Sequence, residues 1–69
     1  MNLADEIERH DGALTVQELA RILTISEKLL YRLIRQGRLP ALRIGTAIRL
    51  DPGVTADWVR ARLTVKSNR

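Results

Sequence analysis

Four residues spaced to share one side of a helix carry most of the chemistry in this sequence: Lys28, Tyr31, Arg32 and Arg35. Two further arginines, Arg43 and Arg49, flank the dipeptide Gly45-Thr46. Long cationic side chains and a phenol suit charge-assisted hydrogen bonding to phosphate oxygens and base edges. Other chemistries lack their parts. The chain has no cysteine and a single histidine, His10, beside Asp11, whereas a metal site needs about three or four convergent ligands. Its carboxylates lie mostly in the N-terminal segment and at exposed helix positions, which disfavours a paired acid–base site. No glycine-rich loop that cradles phosphate is present. The expectation is a protein with no enzymatic activity, cofactor, metal or small-molecule substrate.

The charge distribution points the same way. The net charge is +4, but residues 1–27 hold two basic and six acidic side chains while residues 28–69 hold ten basic and two acidic. The first part would repel a polyanion and the second attract one, which makes nucleic acid the expected partner. A basic surface that is merely solvated is the plainer alternative. At 69 residues the chain makes one domain with a thin core. No apolar run approaches the roughly 20 residues of a membrane span. The opening Met1-Asn2-Leu3-Ala4-Asp5-Glu6 is acidic, unlike a secretory signal. These features, with the lack of cysteine, place the protein in the cytoplasm, associated with the nucleoid if DNA is its partner.

The elements that must position the cationic residues follow from local signals. Leu3 and Ile7 predict a short amphipathic helix ending at Asp11-Gly12. Thr15 and Glu18 form a capping box, and Val16, Leu19, Ala20 and Leu23 give the apolar face of a helix that stops near Thr24. Ser26 caps the next helix, from Glu27 to about Gln36, which buries Leu30, Leu33 and Ile34 and ends at Gly37. Two short alternating runs around Gly45-Thr46 predict a hairpin over 41–50, with Leu42, Ile44, Ile48 and Leu50 inward and Arg43 and Arg49 outward. Asp51-Pro52 starts a closing helix that turns Val54, Trp58, Val59 and either Ala61 or the aliphatic stem of Arg62 to the body, with Trp58 in the core. The fold class is mainly α with a small β-hairpin: a winged helix-turn-helix of N-terminal helix, helix-turn-helix, two-stranded wing and closing helix. The expected organisation is an N-terminal helical extension over 1–12, the DNA-binding domain over 13–63 and a flexible basic tail over 64–69.

Five segments carry a resemblance. Leu14-Thr15-Val16-Gln17-Glu18-Leu19-Ala20 resembles the opening of excisionase-like and MerR-type DNA-binding domains. The stretch from Leu30 to Pro40 is similar to their recognition helix and its exit, and Arg43-Ile44-Gly45, Ile48-Arg49-Leu50 and Trp58-Val59 to their wing and closing helix. The resemblance implies that Ser26, Lys28, Tyr31, Arg32 and Arg35 lie along a DNA-facing helix, and that Arg43, Gly45, Thr46 and Arg49 lie in or near the wing. Leu29 stands where the family often has a hydroxyl residue, the wing tip Gly45-Thr46-Ala47 is uncharged, and Glu27 places a negative charge at the helix start. The implied function is that of a double-stranded DNA-binding protein, either an architectural factor of recombination or a small transcription regulator. Its partners would be DNA, with an integrase or recombinase, or further copies of itself. The rival expectation is a protein–protein interaction module that uses the same fold without DNA.

Overall fold

The computed structural model describes residues 2–63. The basic tail expected over 64–69 lies outside the described residues. The described residues form four helices and a small antiparallel sheet, in the order α1 (Leu3–Glu8), β1 (Leu14–Thr15), α2 (Val16–Leu23), α3 (Glu27–Arg35), β2 (Leu42–Ile44), β3 (Ala47–Leu50) and α4 (Pro52–Arg60). The architecture is a winged helix-turn-helix. No helix among the described residues is long and apolar enough to cross a membrane.

Each helix begins at a side chain that satisfies a free backbone N–H of the first turn. Asn2 Oδ1 accepts from Asp5 N at 2.9 Å, Ser26 Oγ from Leu29 N at 3.0 Å and Asp51 Oδ2 from Val54 N at 2.9 Å. At α2 the box closes in both directions: Thr15 Oγ1 accepts from Glu18 N at 3.0 Å, and Glu18 Oε1 accepts from Thr15 N at 2.9 Å. The turn between α2 and α3 is made by Thr24, whose φ of 57° and ψ of 47° are left-handed. That conformation lets Ile25 N reach back to Ala20 O, so Ser26 can cap α3 at once.

The sheet has three strands, not the two expected of an isolated wing. Its order is β1-β3-β2, with Leu14 opposite Leu50 and Thr15 opposite Arg49. An N-cap residue must be extended, and Thr15 is (φ −88°, ψ 162°), so the chain entering α2 already has strand geometry. Leu14 and Leu50 are both fully buried and tie the wing to the core.

Hairpin facing also differs from expectation. With Gly45-Thr46 as the turn, Ile44 pairs with Ala47, Arg43 with Ile48 and Leu42 with Arg49. Directly opposed residues share a face. Leu42 and Ile44 therefore lie with Arg49, not with Ile48 and Leu50, and they are 50% and 64% exposed. Arg43 shares the face of Ile48. The two arginines expected to point outward together are on opposite faces.

The core joins Ala4 and Ile7 of α1, Leu14, Val16, Leu19 and Ala20, Leu30 of α3, Leu39, Leu50 and Ala56 of α4. Helix α1 rotates from the expected Leu3/Ile7 face to an Ala4/Ile7 face, leaving Leu3 half-exposed. Its N-terminal segment thus shares the core of residues 13–63, and it packs chiefly on α4. Arg60 of α4 clasps α1 by pairing with Glu8 and with Asp5 at 3.0 Å, while also bonding Asp57 at 3.1 Å. Helix α4 buries Thr55 and Ala56, so Val54, expected to face the body, is exposed instead, as are Ala61 and Arg62 past the helix end. Trp58, expected in the core, is only half-buried. Its indole lies under the Arg62 guanidinium, 3.8 Å from the ring centre, and its N–H donates to Arg38 O at 2.6 Å.

Candidate nucleic-acid interface

Helix α3 owes its two faces to period alone. Leu30 is fully buried, with Leu33 and Ile34 packed beside it. Between these positions Lys28, Tyr31, Arg32 and Arg35 come to the surface. At about 100° per residue the four fall within an arc of about 100°. The side chains of Lys28, Arg32 and Arg35 make no hydrogen bond or ion pair among the described residues. Three cations therefore stand in a row with their donors open. Tyr31 is 37% exposed, with part of its ring against the body. Ser26 begins the same helix with its hydroxyl oxygen engaged by Leu29 N, which leaves its O–H as a donor.

A groove lies between the start of α2, the front of α3 and the wing. It is bordered by Gln17, Glu27, Tyr31, Thr46 and Arg49, with Thr15 and Ile48 among its walls. The structure thus brings together Tyr31, Thr46 and Arg49 from three separated stretches of sequence. Arg49 Nη1 donates to Ile48 O at 2.9 Å, which holds its guanidinium along the strand. Lys28, Arg32 and Arg35 do not border this groove, because the helical period turns them away from the side of α3 that carries Glu27 and Tyr31. Arg43 is exposed on the edge strand β2 and does not border it either. Ser26 borders a second depression, at the α2–α3 junction, with Gln17, Arg21 and Glu27.

Three of these residues, Gln17, Arg21 and Glu27, were not singled out as contacts from sequence. Gln17 and Arg21 are four apart on the polar face of α2, a spacing that marks them as neighbours. What sequence spacing could not supply is that this face abuts the front of α3.

The remaining polar clusters are structural. Arg60 holds the Asp5 carboxyl below the usual carboxylate range, chiefly by its side-chain hydrogen bond. The Arg60 guanidinium is in turn raised above its ordinary value, chiefly by its bond to Glu8. The Glu18 carboxyl is lowered first by the hydrogen bond from the Thr15 backbone. His10 bonds Gly12 O through Nδ1 at 3.1 Å and approaches Glu18 Oε2 to 3.6 Å through Nε2. No group of three or more His, Asp or Glu among the described residues is placed to hold a metal ion. Apart from the candidate face, an apolar depression between α1 and the ends of α2 and α4 is lined by Leu3, Leu23, Ile25, Trp58, Val59 and Leu63.

Comparison with known proteins covers this same stretch. The family model described as a helix-turn-helix domain matches residues 13–62. Two curated proteins of Mycobacterium tuberculosis, from strains CDC 1551 and H37Rv, are each 43% identical over 46 residues, and their names describe them as candidate DNA-binding proteins. The matched region is 67% of this chain and 59% of each relative, so the chain spans about three fifths of the length of those proteins. No solved structure shows a significant match to the chain.

Proposed function

Because the chain belongs to the helix-turn-helix domain family, we propose that it binds double-stranded DNA, laying helix 27–36 in the major groove with the 41–50 hairpin as wing. The observation that carries this reading is the row of open cations on α3, Lys28, Arg32 and Arg35, free of any internal partner among the described residues. The major groove admits one α-helix, whose N-terminal residues reach base edges while the preceding helix crosses the backbone. In this arrangement Arg32 and Arg35 neutralise phosphates or bond bases, and Lys28 contacts a phosphate. Tyr31 contacts the sugar–phosphate backbone from the groove side. Ser26 donates its hydroxyl to a phosphate at the helix start, where the dipole also favours an anion. Thr46 and Arg49 extend the contact through the wing, and Arg43 touches the backbone from the sheet's other face.

The resemblance to excisionases supports an architectural role beside an integrase or recombinase, and the MerR-type resemblance supports transcription control. Either work would be done in the cytoplasm, at the nucleoid. One copy of this size reads a short site, so useful specificity calls for side-by-side copies or a protein partner.

Titration against duplex DNA at several salt concentrations tests the proposal. Release of counterions from about four to five phosphates gives a log–log slope of roughly −3 to −5. No complex at low salt would overturn it in favour of the protein-interaction reading.

A further inference from the structure

Glu27 is out of character with its surroundings. It is the only carboxylate between Glu18 and Asp51, in a stretch that carries seven cations. It is also the first residue of α3 and borders the groove with Gln17, Tyr31, Thr46 and Arg49. Its side chain is exposed and makes no hydrogen bond or ion pair among the described residues, although Arg49 borders the same groove. A first-turn carboxylate stabilises the helix dipole. That gain accounts for an acid in the first turn of α3, but on a surface otherwise suited to a polyanion the same charge opposes binding.

A carboxylate set against a duplex is repelled by every phosphate and accepts only from a donor. In the major groove the donors on base edges are the exocyclic amines, N4 of cytosine and N6 of adenine. Adenine sets the N7 acceptor beside its amine, which an amide side chain matches and a carboxylate does not. Cytosine offers its amine without an acceptor on its own edge. The leading position of a groove-entering helix is where a side chain meets base edges first.

We propose that Glu27 is a specificity-determining residue, its carboxylate accepting a hydrogen bond from the N4 amine of one cytosine and rejecting other bases there. The inference rests on the reading of α3 as the groove-entering helix. Lys28, Arg32 and Arg35 attract any duplex, and Glu27 subtracts affinity from all but those presenting the amine. Discrimination by a repulsive element of this kind complements the attractive contacts.

Selection of bound duplexes from a random pool, with the wild type and two variants, tests the inference. The wild type should enrich cytosine at one position by about tenfold. Glu27→Ala should erase that preference and leave the others, and Glu27→Gln should move it to adenine, whose N6 and N7 a glutamine bonds together. Both variants should bind unrelated duplexes several-fold more tightly and, since the site is exposed and only the dipole contribution is lost, melt within a few degrees of the wild type. If both keep every base preference of the wild type and merely bind all duplexes more tightly, Glu27 only repels and the inference is overturned while DNA binding stands. If the wild type gives no complex at low salt, the reading beneath it falls as well.

Discussion

The indole N–H of Trp58 donates to the main-chain carbonyl of Arg38 at 2.6 Å, and so joins the closing helix to the exit of α3. Next to that carbonyl Leu39 enters the core, 2% exposed. The bond fixes where the chain leaves the cationic helix, and through it the approach of the wing. Trp58→Phe keeps most of the ring and removes the donor, and it should cost about 1 kcal/mol. Trp58→Ala also removes a half-buried ring and should cost about 3 kcal/mol. Urea denaturation monitored by circular dichroism separates the two; equal losses would mean that the hydrogen bond contributes nothing.

Acid should weaken the fold through two carboxylates. Asp5, bonded to Arg60, and Glu18, bonded to the Thr15 backbone, both have pKa values below their ordinary ones. A depressed folded-state value means that the unfolded chain binds protons first. The stabilisation from these groups is complete above their ordinary values of about 4 and is lost as pH falls through the lower folded-state values. Melting temperature should be level between about pH 7 and pH 5 and fall below about pH 4. Arg60→Gln should make that fall shallower by freeing Asp5. A melting temperature unchanged down to about pH 3 would contradict the assignment.

The register of the sheet predicts unequal costs for residues that look alike in sequence. Leu14→Ala removes half of the fully buried Leu14–Leu50 pair and should destabilise by about 2–5 kcal/mol. Ile44→Ser, on the exposed face of the edge strand, should change stability by less than about 0.5 kcal/mol. Thermal melts of both variants check the register, and a large loss for Ile44→Ser would return that side chain to the core.

Thr55 sits fully buried in α4 with its hydroxyl oxygen unpartnered. Thr55→Val keeps the shape and removes the unsatisfied group, so it should stabilise by about 1 kcal/mol. A loss of stability on calorimetry would show that the hydroxyl is hydrogen-bonded in solution.

The elements were legible where the determinant is local. Thr15 with Glu18, Ser26, and Asp51 with Pro52 start helices at the expected positions because a cap acts within one turn. The exposed row on α3 followed for a related reason, since burial of Leu30 and its neighbours dictates which side chains face away. Pairing between distant segments was not legible. Nothing near Leu14 announces Leu50, so β1 was invisible as a strand. Alternation within each hairpin strand does not fix which residues face inward, because the two-residue turn sets Leu42 and Ile44 opposite Arg49 and Ala47. The size of Trp58 favours the core, but its N–H requires an acceptor, and the ring stops half-buried where Arg38 O provides one. The groove that gathers Gln17, Glu27, Tyr31, Thr46 and Arg49 depends on how α2, α3 and the wing meet, which no local pattern encodes.

Whether the outward side of α3 enters a duplex can be read from the backbone amide resonances of isotope-labelled protein as a short DNA duplex is added. With α3 in the groove, shifts should concentrate on residues 26–36, with smaller ones at 43–49 and at the start of α2, and little change on α1. Shifts centred on α1 and α4, with Lys28, Arg32 and Arg35 unmoved, would rule that placement out.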